Sequence, residues 1–268
     1  MKKFDPRRVR MTILNMAHSG STVHIGCAFS IVELLTTLYR SHLRLDPARI
    51  DAPDRDYMVL SKGHGVMAQY ACLHEMGILS DEDLGQYFRN GTRLKGLADA
   101  HVPGVEVTAG SLGHGLSVGV GLALAAKLNK TAQVCYALVG DGEINEGAIW
   151  EALLFAAHFK LDNLVVIVDK NGFQAMGTTD EVMALGNIQQ KFEAFGFDTI
   201  TVDGHDECAI DKAYGTFKAS RNGRPKAIVA ETIKGKGVSF MEHDNTWHYT
   251  RLSDATYAAA IRELDTAL

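Results

Sequence analysis

The stretch GDGEINEG, Gly140 to Gly147, sets a carboxylate, Asp141, between two glycines at the end of the apolar run Gln133–Val139. A glycine-flanked turn that leaves a strand and opens a helix suits phosphate, because the backbone can approach closely and the first helical N–H groups are unpaired. A carboxylate repels phosphate. Asp141 therefore fits only if a divalent cation bridges the two, as magnesium does when one or two carboxylates and phosphate oxygens hold it. A second hard oxygen stands 30 residues on (141 to 171), in VVIVDKNGFQ, where Asn171 closes another apolar run. The backbone carbonyl of Phe173 could complete the shell. Alone, DKNG reads as a turn, since Asn-Gly is a common turn pair; beside GDG on a neighbouring strand it reads as half of a cation site.

These loops need a scaffold, and the chain can supply one. Its 268 residues are 46% hydrophobic, enough for a sizeable core in one folding unit. The helical periodicity of Phe29–Tyr39 predicts a buried helix with Ser30 near its start, and Val66–Met76 predicts another. Ser80-Asp81-Glu82-Asp83 has the pattern of a capped helix start. Tyr57–Leu60, Gln133–Val139, Asn163–Val168 and Lys226–Thr232 read as strands buried on both faces, with Asp198–Val202 a weaker one. Helical segments separate them: Gly115–Leu128, Glu146–Lys160 with its first N–H groups presented from near Ile144, Ile188–Phe195, and Glu207–Ser220. Strands alternating with helices predict an α/β fold with a mainly parallel sheet flanked by helices. Neither a repeat nor a Pro/Gly linker divides the chain, so residues 1–268 are read as a single domain. In such sheets ligands bind beyond the carboxyl ends of the strands. SKGHG after Leu60, GDGEINEG after Val139, DKNGFQAMG after Val168 and IKGKG after Thr232 should converge there.

Composition narrows the function. The formal net charge is −5, with no Lys/Arg run to suggest nucleic acid. MKKFDPRRVR lacks a following apolar region, which argues against a secretory signal, and no apolar run has the roughly 18–20 residues of a membrane span. Cys27, Cys72, Cys135 and Cys208 are scattered and form no CxxC pair, so reduced thiols in a cytoplasmic protein are expected.

The spacing of GDG and Asn, with a helix and strand between them, resembles the diphosphate and metal motif of thiamine-diphosphate enzymes. From about Met11 to Leu252 the chain resembles the N-terminal, diphosphate-binding domain of transketolase. HIGCAFSIVELLTTLY at His24–Tyr39 is similar to the family's SGHPG segment and its helix, and SKGHGVMAQYACLHEMG at Ser61–Gly77 to its SxGH motif. PGVEVTAGSLGHGLSVGVGLALAAKL, Pro103–Leu128, carries the unusual PGVE...GSLGxG combination, and IKGKGVSFMEHDNTWH ends, like the family's lysine/glycine loop, in a histidine. The resemblance implies a thiamine-diphosphate-binding fold of the PP type, with Asp141, Asn171 and the Phe173 carbonyl holding Mg2+ or Ca2+. It gives Gly140 and Gly142 to the cofactor diphosphate, and Gly110, Ser111 and Leu112 to the cofactor rings. It sets His64 and His248 near the diphosphate and the reacting carbon, and His24 on the donor sugar. Imidazoles suit proton exchange with sugar hydroxyls near neutral pH. Glu146 aligns with a carboxylate at the family's interface between chains, or simply complements a helix dipole; Glu143 is assigned a structural role.

The departures bear on the substrate. The register GSTVHIG replaces SGHPG, Ile25 standing for proline, and the family's second GHP is replaced by Gly96-Leu97-Ala98. His101, in AHVPG, is a candidate to take the missing histidine's place in space. His114 stands where many relatives have glutamine. The family's pyrimidine-binding and third domains find no counterpart here. The resemblance therefore implies the N-terminal subunit of a two-chain transketolase, which would form a heterodimer or heterotetramer with a C-terminal subunit. That enzyme would pass a two-carbon ketol unit from a ketose, a sugar phosphate or a related sugar, to an aldose by way of thiamine diphosphate and a divalent metal. The helical tail Ser253–Leu268 favours a natural subunit over a shortened chain. Three other readings are weaker. GHGLSVGVGLALA lacks the preceding strand and the GxGxxG of a nucleotide-binding oxidoreductase. An E1-type 2-oxoacid dehydrogenase subunit lacks PGVEVTAGSLGHG, and a non-catalytic binding subunit would not need both Asp141 and Asn171.

Overall fold

The computed structural model describes residues 4–266; Leu268, in the expected tail, lies outside them. Helices α1 (Pro6–Ser19), α2 (Ile25–Phe29) and α3 (Val32–Thr37) lead to strand β1 (Tyr57–Leu60). After α4 (Val66–Glu75), α5 (Asp81–Gly85) and α6 (His114–Leu128) come β2 (Cys135–Gly140), α7 (Gly147–His158) and β3 (Leu164–Lys170). The chain ends with α8 (Thr179–Met183), α9 (Ile188–Ala194), β4 (Asp198–Asp203), α10 (Glu207–Ala219), β5 (Lys226–Glu231) and α11 (Asp254–Thr266). The five strands form one parallel sheet in the order β1-β2-β3-β5-β4.

The strand patterns explain the layers. In β1, β2 and β3 successive side chains enter different cores, as the two-residue period requires. Leu60, Leu138, Val165 and Ile167 join α1–α4, α10 and α11, whereas Val59, Ala137, Val166 and Val168 join α6, α7 and α9. Every β2 side chain is buried, while the edge strand β4 is mostly exposed or half-buried, so its apolar signal is weak in sequence. Gly115 brings α6 onto the end of β1, since a Cβ there would lie 2.6 Å from Ser61 Cα.

Two expected helices are corrected. Phe29–Tyr39 is interrupted: α2 ends at Phe29, Ile31 leaves helical geometry, and α3 restarts at Val32 and widens into a π turn over Leu38–His42. The break lets buried Ser30 turn its hydroxyl to Asp169, 2.8 Å away. Nor does the helix after GDG begin near Ile144. Residues Gly142–Asn145 form a 3-10 turn and the α-helix starts at Gly147, a common tightening at a helix entrance.

Glu143 sets the path of three loops. Its Oε1 accepts from Ser61 Oγ (2.5 Å) and the Gly113 amide (2.7 Å), and its Oε2 from the Gly140 amide (3.0 Å). The structural role of Glu143 is thus a clasp between β1, β2 and the entrance to α6. A second clasp lies on the other side, where Glu33 of α3 pairs bidentately with buried Arg10 of α1 (2.6 and 2.9 Å). The Ile233 amide donates to His205 Nε2, so the proton sits on Nδ1 and is donated to Glu33 Oε2 at 2.9 Å. This fixes the start of the loop after β5.

Replacing Glu143 with Gln should set an NH2 group against a buried donor. An unfolding cost of about 2 kcal/mol is expected, read as a lower urea midpoint; an unchanged midpoint contradicts the clasp. Burial alone would raise the Glu33 carboxyl, but Arg10 and His205 together hold it at about 2, below its ordinary 4.5. Its contribution is therefore complete above pH ~4.5 and is lost as pH falls towards 2. Between pH 6 and pH 3 the native chain should lose about 2 kcal/mol more stability than Glu33→Gln. Equal losses in the two proteins contradict the assignment.

Candidate functional site

The polar loops do meet at the carboxyl edge of the sheet. Gly140 pairs with Asp169 in the β2–β3 register, so Asp141 and Asn171 leave adjacent strands at the same level. They line a cavity of about 370 Å3 together with His24, His64, His248, Gly110, Leu112, Gly140, Gly142, Glu146 and Phe173. Ser111 is exposed and does not line it; its carbonyl caps the entrance to α6 by accepting from the His114 amide. Glu146 stands exposed at the rim, at the N-cap of α7, with no capping bond from its side chain.

Two loops bring the candidate cation ligands together. Asp141, 2% exposed, accepts from the amides of Gly142 (2.8 Å) and Gly172 (2.6 Å). Asn171 donates through Nδ2 to Asp169 (2.7 Å), which turns Oδ1 the other way, towards the Phe173 amide at 3.1 Å. Burial, with the negative charge of Asp169 nearby, pushes the Asp141 carboxyl up to about 7 despite its two amide donors. A carboxylate has about four acceptor positions, two of which remain, and a divalent cation is the charge that would keep it ionised. Carboxylate, amide and backbone oxygens are the hard donors that magnesium and calcium take. The residues fit a cation.

They also fit a diphosphate. Gly142 approaches Gln174 so closely that a Cβ would lie 2.6 Å from its Cγ. Gln174 Nε2 is buried without a hydrogen-bond partner, and Gln174 lines the cavity. Two ammonium groups face the same space. Lys62 is paired with Asp169 at 2.5 Å. Lys234 bonds Asn245 Oδ1 (2.6 Å) and His248 Nδ1 (2.8 Å), with no ion-pair partner among the described residues. An orphan donor and a cation without a counter-ion suit an anion.

The imidazoles form one cluster, with ring centroids 5.3 Å apart for His24–His64 and 5.5 Å for both His24–His248 and His64–His248. Burial first, then the two lysines, lower the pKa of His24 to about 4 and that of His248 to about 3, and hold His64 well below its usual value. All three are neutral at pH 7 and can exchange a proton with a hydroxyl. His24 has a left-handed backbone (φ 68°) and its amide donates to the His248 carbonyl at 3.1 Å. A non-glycine residue there marks a constrained position. Cys27 Sγ, His64 and His248 also offer ligand atoms within 4.8 Å of one another, but the Lys234 ammonium already occupies His248 Nδ1.

His101 does not replace the missing histidine. Its side chain is 91% exposed and bonded to Asp99, away from the cavity; Leu97 lines the cavity instead, 3.5 Å from where a Gly110 Cβ would stand. The sequence reading missed Lys62, Asp169, Gln174 and Lys234 as site residues. The lysines of SKGHG and IKGKG were the available signal, since each lies in a loop leaving a strand end.

The chain matches the family described as the transketolase, thiamine diphosphate binding domain, over residues 5–265. It is 40% identical over 265 residues to one of the apulose-4-phosphate transketolase subunits, that of Actinobacillus succinogenes, covering 98% of this chain and 95% of that one. It is also 40% identical over 243 residues to a 6-deoxy-6-sulfo-D-fructose transketolase subunit of a Clostridium species, covering 90% and 88%. Among solved structures, the transketolase of Campylobacter jejuni superposes with a TM-score of 0.92 at 30% identity, over 98% of this chain and 42% of that one. That of Leishmania mexicana gives 0.85 at 30%, over 97% and 44%. The chain thus spans under half the length of these solved transketolases, and nearly the whole of the two subunits. The chain belongs to the transketolase thiamine-diphosphate-binding domain family.

Proposed function

We propose that this chain is the N-terminal subunit of a two-chain transketolase and transfers a two-carbon ketol unit from a ketose to an aldose only with its partner. The observation that carries the reading is the meeting of Asp141, Asn171 and Lys234 with three neutral imidazoles in one cavity. Two relatives of similar length bear the name of transketolase subunits, which supports a separate partner chain. That partner would bring the pyrimidine-binding domain, in a heterodimer or heterotetramer. Glu146, exposed at the rim without a capping bond, is the carboxylate we assign to that interface.

Asp141, Asn171 and the Phe173 carbonyl would hold Mg2+ or Ca2+, and Gly140, Gly142, Gln174 and Lys234 the diphosphate of the cofactor. Gly110 and Leu112, which line the cavity, would lie against its rings, and the exposed Ser111 between them in sequence would not. When bound, thiamine diphosphate supplies the electron sink that allows a carbon–carbon bond beside a ketose carbonyl to break. The protein's task is to place the sugar and manage protons. His24, which lines the cavity, would orient the donor. His64 and His248 would accept and return hydroxyl protons, the Lys234 ammonium at 2.8 Å fixing the orientation of His248. The cysteines stand free of one another, which agrees with a reducing cytoplasm. Among the described residues no helix is long and apolar enough to cross a membrane.

The test is ketol transfer by this chain mixed with its partner, against each alone. Activity confined to the mixture supports the proposal, and activity in neither arrangement contradicts it. In the active mixture Asp141→Ala should lower kcat/KM at least ~1000-fold, as loss of a metal bridge and its electrostatics would. Retention of full activity would remove Asp141 from the site.

A further inference from the structure

The imidazoles of His24, His64 and His248 share one cavity, but their hydrogen bonding differs. A neutral imidazole carries its proton on one ring nitrogen and a lone pair on the other, so the partner of one nitrogen decides what the other can do. The ring nitrogens of His24 and His64 have no hydrogen-bond partner among the described residues, and these side chains meet other rings instead. His248 is different. Two groups converge on its Nδ1, Lys234 Nζ at 2.8 Å and Cys27 Sγ at 3.5 Å. An ammonium can only donate. The Lys234 charge is supported by Asn245 Oδ1, 2.6 Å from Nζ, and by the Phe173 ring, its centroid 5.5 Å away. Asn245 is itself oriented, since its Nδ2 donates to the Ala175 carbonyl at 3.3 Å. Cys27 is 2% exposed and burial pushes its pKa up, so it remains a thiol and adds a weak S–H donor. Close packing fixes the group: a Cβ on Gly26, beside Cys27 in α2, would lie 3.2 Å from Lys234 Cγ and 3.4 Å from the Trp247 carbonyl oxygen. Nδ1 of His248 therefore accepts. The proton of the neutral ring sits on Nε2, which has no hydrogen-bond partner among the described residues.

We propose that Lys234 and Cys27 are positioning residues that lock His248 in its Nε2–H tautomer, so that His248 presents a hydrogen-bond donor to a sugar carbonyl oxygen and leaves proton acceptance to His64 and His24. The inference rests on the transketolase reading and divides a task that His64 and His248 were given jointly. A carbonyl oxygen gains negative charge as its carbon is attacked, and a fixed N–H aimed at that oxygen binds the transition state better than the ground state. A neutral imidazole is suited to this, because it polarises a carbonyl without bringing a charge of its own into the cavity. His64 and His24, whose ring nitrogens are not committed to a neighbour, can each turn a lone pair to a hydroxyl. The three imidazoles thus differ in role because only one of them has its far nitrogen held.

The tautomer is read directly from the ring nitrogen chemical shifts of the full chain, labelled with nitrogen-15 on histidine. A protonated Nε2 and a bare Nδ1 are expected at His248 at neutral pH, and a protonated Nδ1 overturns the proposal. In Lys234→Met/Cys27→Ala the population with the proton on Nδ1 should rise at least about tenfold, the effect of losing one hydrogen bond from a charged donor. An unchanged ratio in the folded variant overturns the role of the two residues, since the ring would then hold its tautomer unaided. A second measurement does not depend on that variant. In the assembled two-chain enzyme His248→Gln keeps an N–H donor and loses the base, whereas His248→Ala loses both. With the cofactor saturating, kcat for ketol transfer should be at least about tenfold higher for the Gln variant than for the Ala variant; equal values overturn the donor role. If the native mixture transfers no ketol, the transketolase reading fails, and the ring signals still decide the tautomer. A protonated Nδ1 in an enzyme that does transfer ketol overturns this proposal alone.

Discussion

The Asp169 carboxylate, wholly buried at the end of β3, is the point on which the site depends. It accepts from Ser30 after α2, Lys62 after β1, Asn171 after β3 and Thr232 after β5. Four loops that share no local sequence are pinned to one group. Burial would raise its pKa, yet the Lys62 ammonium and the surrounding donors hold it below the ordinary carboxylate range. Asp169 therefore stays charged, and so does Lys62. Removing one member of such a pair typically costs about 3–5 kcal/mol, which ties the stability of the core to the geometry of the cavity.

The same charge shapes the chemistry around it. Burial and then the charge of Asp169 raise the cost of a second anion at Asp141, a cost that a divalent cation would offset. On the opposite side, burial lowers the pKa of Lys234, and an entering diphosphate would restore its charge. Burial first, and then the lysines, depress the imidazoles in turn, so that neutral bases lie beside a positively biased pocket. The cation, anion and proton-transfer positions we propose thus all draw on a single arrangement of buried charges, with the parallel sheet holding them in register.

Much of this was legible in the chain itself. Tyr57–Leu60 is observed as read, and β2, β3 and β5 fall within two residues of expectation, because strands buried on both faces leave uninterrupted apolar runs. Asp141 and Asn171 were legible because both lie just after such runs. The break at Ser30 was not, since the residue that causes it, Asp169, lies 139 positions away. Lys62 and Asp169 are separated by 107 positions and Asp169 and Thr232 by 63, and no local period carries such pairings. His101 misled for the converse reason: closeness in sequence to Leu97 does not bring a side chain to the cavity, and Asp99 holds it outside.

The central claim is that this sheet edge holds one half of a metal-bound thiamine diphosphate and that the partner holds the other. Calorimetric titration of thiamine diphosphate with Mg2+ tests it, run into this chain alone, into the partner alone, and into their mixture. The account predicts tight binding in the mixture that is abolished by a chelator, and at most weak binding to either chain separately. No binding in the mixture, or binding indifferent to the metal, would contradict it.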